Sequence, residues 1–190
     1  MKRGRRVVAA ATGLAVLGAA VGFACGGSSG TPAAAGEAGG EAGGEAALVS
    51  VTDPATKLAF KHPASWTRTS EGPLTFTGQD EYVSLEVRPL AGADVLAAAK
   101  ADEGALKSAA PGYKGVGLAA STEVKNSAVT SYEWDLAKSA VTGKPVHQRA
   151  DRYYINLGNG QMAILTGSSP SARFDREQVR DIALTVQVAK

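Results

Sequence analysis

The sequence predicts an α+β fold in which two helices pack against an antiparallel sheet as a helix–sheet sandwich. Three observations predict this fold. Residues 82–88 and 129–136 alternate apolar and polar side chains with the period of a half-buried strand. Short turns rich in glycine join the later strands into an antiparallel meander. Asp94 and Asp175 each precede a segment of helical composition, where an aspartate can cap a helix.

Residues 1–24 have the layout of a secretory signal peptide. A basic start is followed by an uncharged run from Val7 to Ala24. The run is close to the roughly 18 to 20 residues of a membrane span, but its many glycines and alanines make permanent insertion marginal. Arg5 and Arg6 also resemble a twin-arginine export signal. The sequence therefore predicts export and leaves the route open.

Cys25 is the only cysteine of the chain and lies at the predicted cleavage point. The small Ala24 before it fits the bacterial lipobox, in which Gly22 and Phe23 replace the usual leucine and small residue. An ordinary signal peptidase would accept the same bond. Because a lone exposed thiol is a liability in an oxidising compartment, we expect a lipid on Cys25. This anchor places the protein on the extracytoplasmic face of a bacterial membrane, with secretion after cleavage before Cys25 as the alternative.

A linker follows over residues 25–47, and a globular domain over 48–190. The linker contains the repeat Gly-Glu-Ala-Gly and places Glu37, Glu41 and Glu45 four residues apart, where like charges repel on a helix. Each repeat also carries glycines, which cost about 1 kcal/mol apiece in a helix. We expect the linker to be disordered and to serve as a tether.

The charge balance argues against nucleic acid as a partner. The chain has 20 Lys and Arg against 18 Asp and Glu, and four of the basic residues precede Cys25. The mature form therefore carries 16 basic and 18 acidic residues. A slight net negative charge gives no electrostatic footprint for nucleic acid or for an anionic membrane surface.

The sequence of the first part of the domain predicts three strands and a helix. The strands are expected over 58–62, 74–77 and 82–88, and the turn Pro63-Ala64-Ser65-Trp66 closes the first of them. The helix is expected from Asp94 to Ser108, with Pro111-Gly112 ending it.

The second part predicts five strands. They are expected over 113–118, 122–125, 129–136, 146–157 and 161–166. The turns Thr142-Gly143-Lys144-Pro145 and Gly158-Asn159-Gly160 join the last three. We interpret Gly167-Ser168-Ser169-Pro170 as the entry to the final helix.

The C-terminus predicts a second helix. Asp175 and Gln178 fit a capping box, and Phe174 can pack onto Val179. The helix is expected from Arg176 to about Leu184, with residues 186–188 as a last strand. Its predicted buried residues are Val179, Ile182 and Ala183.

The segment Phe60-Lys61-His62-Pro63-Ala64-Ser65-Trp66 is similar to a motif of the PsbP-like fold: aromatic, x, tyrosine-proline, x, glycine, tryptophan. His62 and Ser65 replace the usual tyrosine and glycine. The order of elements over 56–188 also resembles that superfamily, which includes a photosystem extrinsic subunit, a nuclear import factor that binds the Ran GTPase, and actinobacterial lipoproteins of the LpqN type. The resemblance implies a protein that binds or scaffolds other proteins, and it carries no catalytic residues to transfer.

The sequence shows no catalytic, metal or cofactor signature. His62 and His147 are the only histidines, and neither has another ligand at the spacing of a zinc site. No nucleophile elbow or phosphate-binding loop occurs. His147 shares a strand face with Arg149, Asp151 and Tyr153, which we interpret as a solvated face.

Three functions therefore remain open. The leading one is a membrane-anchored, non-enzymatic domain that binds a protein partner or a component of the cell envelope. A carrier of a small molecule or lipid is the second, and a hydrolase with a dispersed site is the third. We expect Trp66 and Trp134 to lie in the core, with an interface as the alternative.

Overall fold

The computed structural model describes residues 47–189. The predicted signal peptide with Arg5 and Arg6, the predicted anchor Cys25 and the linker up to residue 46 lie outside these residues. Within the described part, no helix is long and apolar enough to cross a membrane.

The described chain forms ten strands and two α-helices, all within residues 47–189. In chain order they are β1 (Leu48–Thr52), β2 (Leu58–Pro63), β3 (Thr67–Glu71), β4 (Leu74–Thr77), β5 (Tyr82–Pro89), α1 (Val95–Ala109), β6 (Lys114–Ala120), β7 (Ser127–Leu136), β8 (Val146–Asn156), β9 (Gln161–Pro170), α2 (Arg176–Leu184) and β10 (Gln187–Val188). A short 3-10 turn, Ser171–Arg173, connects β9 to α2.

The strands form two antiparallel sheets. A seven-stranded sheet has the order β3-β4-β5-β9-β8-β7-β6, and a three-stranded sheet has the order β1-β2-β10. Strands β7, β8 and β9 are neighbours in the larger sheet and form the predicted meander.

The two helices cover opposite faces of the larger sheet. Consecutive strand residues point to opposite faces, and Tyr153 and Tyr154 of β8 are both buried, in different clusters. Helix α1 packs on the sheet face that carries Tyr154. Helix α2 and the three-stranded sheet pack on the face that carries Tyr153, where Phe60 and Ile182 belong to the same core. The predicted α+β helix–sheet sandwich is confirmed.

Both helices begin at the predicted caps. The Asp94 carboxylate accepts hydrogen bonds from the backbone N–H groups of Leu96 and Ala97, at 2.9 and 3.1 Å. The Asp175 carboxylate accepts one from Gln178 N–H at 3.1 Å. The predicted residues Val179, Ile182 and Ala183 are the buried ones of α2.

The structure differs from the sequence prediction in the polar strands. The sequence does not predict β1, nor β3, which lies at the edge of the larger sheet and has no apolar alternation. The strand predicted over 122–125 is wrong: the Ser121 hydroxyl accepts hydrogen bonds from Glu123 and Val124 N–H and forms a turn there.

The predicted helix entry at Gly167-Ser168-Ser169-Pro170 is also wrong, because these residues extend β9. Gly167 pairs with Asp151 of β8, and the Ser168 hydroxyl donates to the Gln148 side chain at 3.1 Å. A side chain at Gly167 would lie 2.6 Å from Val179 Cγ1. Glycine at this point of the strand therefore lets α2 pack closely on the sheet.

Candidate functional site

One end of the α2-side face of the larger sheet carries a patch of polar side chains, here called the polar face. It consists of three cross-strand pairs between β7 and β8: Ser131 with Asp151, Glu133 with Arg149, and Asp135 with His147. The next pair along the strands, Val129 with Tyr153, belongs to the core beneath α2. The polar face thus begins beneath the first residue of α2, Arg176, and extends beyond the cover of the helix.

The end of the polar face next to α2 is buried. The Asp151 side chain is only 1% exposed and accepts a hydrogen bond of 2.6 Å from the Ser131 hydroxyl. Arg176, the first residue of α2, lies over it with Nε 3.1 Å from the second carboxylate oxygen. The prediction that this strand face is solvated is therefore wrong for Asp151 and Tyr153, because α2 covers both.

The far end of the polar face is open and centres on His147, whose side chain is 48% exposed. Nδ1 lies 2.9 Å from Asp135 Oδ1, and Nε2 lies 3.4 Å from Glu133 Oε2. Carboxylates only accept, so both ring nitrogens donate when the imidazole is protonated. The hydrogen bond to Asp135, with a smaller contribution from Glu133, raises the pKa of His147 above its ordinary value.

We expect the imidazole of His147 to titrate above the usual midpoint of about pH 6.5. Because the pKa of His147 is raised in the folded state, its contribution to stability is fully present below the unfolded pKa and is lost as the pH rises through the folded one. NMR titration of the imidazole signals, assigned with His147→Gln, measures the midpoint, and Asp135→Asn should lower it. A midpoint that Asp135→Asn leaves unchanged contradicts the assignment of the cause.

Arg149 occupies the middle of the polar face. Its Nε is buried and has no hydrogen-bond partner among the described residues. Its guanidinium carbon lies 5.3 Å from the centroid of the Phe174 ring, a distance suited to a cation–π interaction. The Ser171 hydroxyl, in the turn after β9, is likewise buried without a partner in the described chain.

The two histidines lie in separate surroundings within the described residues. His62 is buried in β2, where its ring stacks on Phe76 with centroids 3.7 Å apart and Nδ1 lies 2.9 Å from Pro63 O. Among the described residues, the hydrogen-bonding partners of the His147 ring are the carboxylates of Asp135 and Glu133. Residues 47–189 contain no group of three or more His, Cys, Asp or Glu side chains placed to hold a metal ion.

The interior beneath α2 is closed. The cavity between α2 and the sheet, next to Trp66, has a volume of about 20 Å³, which is enough for roughly one water molecule. A shallow groove at the end of α2, lined by residues such as Lys61, Thr185 and Gln187, has a volume of about 210 Å³. Both lie below the roughly 300 to 1,000 Å³ of typical ligand clefts.

The two tryptophans are half-buried against the core. Trp66 packs on the larger core cluster, and Gly78 approaches its indole so closely that a side chain there would lie 2.6 Å from Nε1. Trp134 packs beside Tyr132, with ring centroids 5.4 Å apart. Both tryptophans therefore pack against the core as predicted, and both remain partly exposed.

The sequence prediction missed a buried charge network on the opposite face of the sheet, under α1. Arg152 of β8 is 9% exposed and contacts Glu86 at 2.7 Å and Asp102 of α1 at 3.1 Å. The Tyr154 hydroxyl donates to Asp102 at 2.8 Å. Burial opposes ionisation of Asp102, but the charge of Arg152, the hydrogen bond from Tyr154 and the contact with Arg88 together outweigh it, and the pKa of Asp102 is lowered. The network holds α1 against the sheet.

This architecture defines a class of α+β domain that is seen in solved structures. The Ran-binding protein Mog1p from Saccharomyces cerevisiae matches with a TM-score of 0.51 at 6% identity, covering 77% of this chain and 97% of Mog1p. A point mutant of Mog1 matches with a TM-score of 0.50 at 8% identity, covering 76% and 97%. These similarities show a shared fold.

A PsbP from the cyanobacterium Synechocystis sp. PCC 6803 (CyanoP) is also similar, with a TM-score of 0.48 at 16% identity over 80% of this chain and 98% of CyanoP. No protein-family model matches the chain, and no curated protein matches its sequence. The assignment of the fold class therefore rests on the structure and on the two Mog1 structures.

Proposed function

We propose that this chain is a lipoprotein of the extracytoplasmic face of a bacterial membrane, and that its non-enzymatic domain binds a protein partner or a component of the cell envelope. In this proposal residues 1–24 direct export, through either the general route or the Arg5-Arg6 signal, and Cys25 carries the lipid. This proposal relates the chain to the actinobacterial lipoproteins of the LpqN type. Secretion after cleavage before Cys25 is the alternative localisation.

The observation that carries the binding proposal is the contrast between a closed interior and an open polar face. A carrier needs a cavity for its ligand, and the space beneath α2 holds about 20 Å³. The polar face instead presents His147 and Asp135 to solvent, and the buried Nε of the half-buried Arg149 has no hydrogen-bonding partner in the described chain. Surfaces with unmatched charge suit recognition of a partner. The fold supports this as an analogy, because Mog1p is a Ran-binding protein.

Photo-crosslinking in the native membrane tests the binding proposal. A photoreactive benzoylphenylalanine replaces Ala172, which is exposed in the turn beside the polar face. The matched control replaces Ala101, which is exposed on α1 on the other side of the sheet. We expect a discrete adduct with one partner from position 172 and at least tenfold less of it from position 101.

Two outcomes contradict the proposal. One is the same set of adducts from both positions, which indicates non-specific proximity. The other is no adduct from position 172 when the chain is present in the membrane at its normal level.

A further inference from the structure

The carboxylates of the polar face are each in contact with a cation other than Arg149. Asp151 is paired with Arg176 at 3.1 Å, and Asp135 with His147 at 2.9 Å. Glu133 lies 3.4 Å from both Lys114 and His147. Arg149 faces Glu133 across the strands, yet its guanidinium forms no ion pair within 4 Å in the described chain. Arg149 is therefore the unmatched cation of this surface.

The guanidinium of Arg149 is held in place although it is unpaired. Its Nε is buried, and its guanidinium carbon lies over the Phe174 ring, 5.3 Å from the ring centroid. Ser169 is its cross-strand neighbour on β9, and the Ser169 hydroxyl has only a long contact of 3.5 Å with its neighbouring carbonyl. A ligand therefore contacts the terminal guanidinium nitrogens of Arg149, which, unlike Nε, are not buried.

We propose that Arg149 binds the carboxylate of an acidic side chain on the protein partner. This inference rests on the proposed function and names the chemistry of the partner. A guanidinium presents two parallel N–H donors that match a carboxylate. A phosphate matches them equally well, but its second negative charge would lie beside Glu133 and Asp135, which face the same surface. The neighbouring carboxylates therefore favour a singly charged group.

The test follows two sets of signals by NMR in the mature full chain in detergent micelles: the Nε–H signals of the arginines, and the backbone N–H signals of Ser169 and Phe174, which adjoin Arg149. The probes are the peptide acetyl-Ala-Glu-Ala-amide, which carries a single carboxylate, its glutamine counterpart and sodium phosphate. We expect the acidic peptide to shift the signal of Arg149 saturably, with at least tenfold weaker binding of the glutamine peptide. Phosphate should bind no more tightly than the acidic peptide.

Three variants test whether Arg149 is the residue that binds the peptide. Arg149→Gln, which also removes the Arg149 Nε–H signal, should abolish the shifts of the Ser169 and Phe174 amides. Arg149→Lys, which keeps the charge and loses the planar fork, should weaken the binding that these amides report at least threefold. Arg68→Gln is the control, because Arg68 pairs with Glu71 on the distant edge strand β3 and its loss should change nothing. Retention of the wild-type thermal midpoint by Arg149→Gln verifies that the variant is folded.

The outcomes separate this inference from the proposed function. If the acidic peptide causes no saturable shift, if Arg149→Gln leaves the shift intact, or if phosphate binds more tightly, the carboxylate site is wrong. In each of these cases a persistent adduct from position 172 leaves the partner proposal standing. Conversely, peptide binding at Arg149 without any adduct in the membrane supports the site and contradicts the partner proposal.

Discussion

Replacing Arg152 by methionine is expected to lower the free energy of unfolding by about 3 kcal/mol, because it leaves buried carboxylates without their main cation. The side chains of Arg152 and Asp102 are 10% and 11% exposed. Arg88 continues to contact Glu86 and Asp102, at 2.9 and 2.8 Å. This second cation keeps the expected loss at the lower end of the range for a broken buried pair. Urea denaturation followed by circular dichroism measures it.

Arg88→Met is the matched control for Arg152→Met. Arg88 contacts the same two carboxylates, but its side chain is 41% exposed. Because solvent screens exposed ion pairs, we expect a loss of about 1 kcal/mol or less. Adding Asp102→Asn to Arg152→Met should restore part of the stability, because it removes a buried negative charge that has lost the contact with Arg152. If Arg152→Met costs no more than Arg88→Met, the network does not hold α1 to the sheet.

The parts of the fold that local chemistry determines could be predicted from the sequence. Helix α2 is the clearest case: Asp175 caps it, and its buried side chains recur at helical spacing. The long strands β7 and β8 carry enough alternating or apolar residues to be recognised alone. Turn residues such as Gly158 and Gly160, which both have positive φ, mark where the meander reverses.

The parts that depend on distant segments could not be predicted. Strand β3 is polar and exposed, so only its pairing with β4 identifies it. Residues 167–170 contain glycine, serine and proline, which usually indicate a loop, yet pairing with β8 keeps them extended. Arg152 and Asp102 are 50 residues apart in number and are brought together only when α1 docks on the sheet.

The candidate site, like the fold, could be predicted from the sequence only in part. Strand periodicity placed His147, Arg149 and Asp151 on one face, and the register of β8 confirms it. The burial of that face follows from α2, which lies on Asp151 through Arg176. Nothing in the local sequence distinguishes the buried Asp151 from the exposed Asp135. The sequence also could not show that the charge of Arg149 is unmatched. The cations that contact its acidic neighbours come from β6, β8 and α2, which meet only in the folded chain.

We propose that the domain is held at a membrane by a lipid on a single residue, Cys25. Substitution Cys25→Ser removes the attachment point, and with it the stabilisation of roughly 0.8 kcal/mol for each buried methylene of the lipid. We expect the Cys25→Ser chain to move almost entirely from the membrane fraction to the soluble fraction. Ser29→Ala, four residues further along, is the control and should stay in the membrane.

Cell fractionation with immunodetection of the wild-type chain and both variants is the most direct measurement of this claim. The account predicts that the wild type and Ser29→Ala are recovered with the membrane, and that the membrane-bound share of Cys25→Ser falls at least tenfold. Recovery of Cys25→Ser in the membrane as completely as the wild type contradicts it, as does a wild-type chain found mainly in the medium.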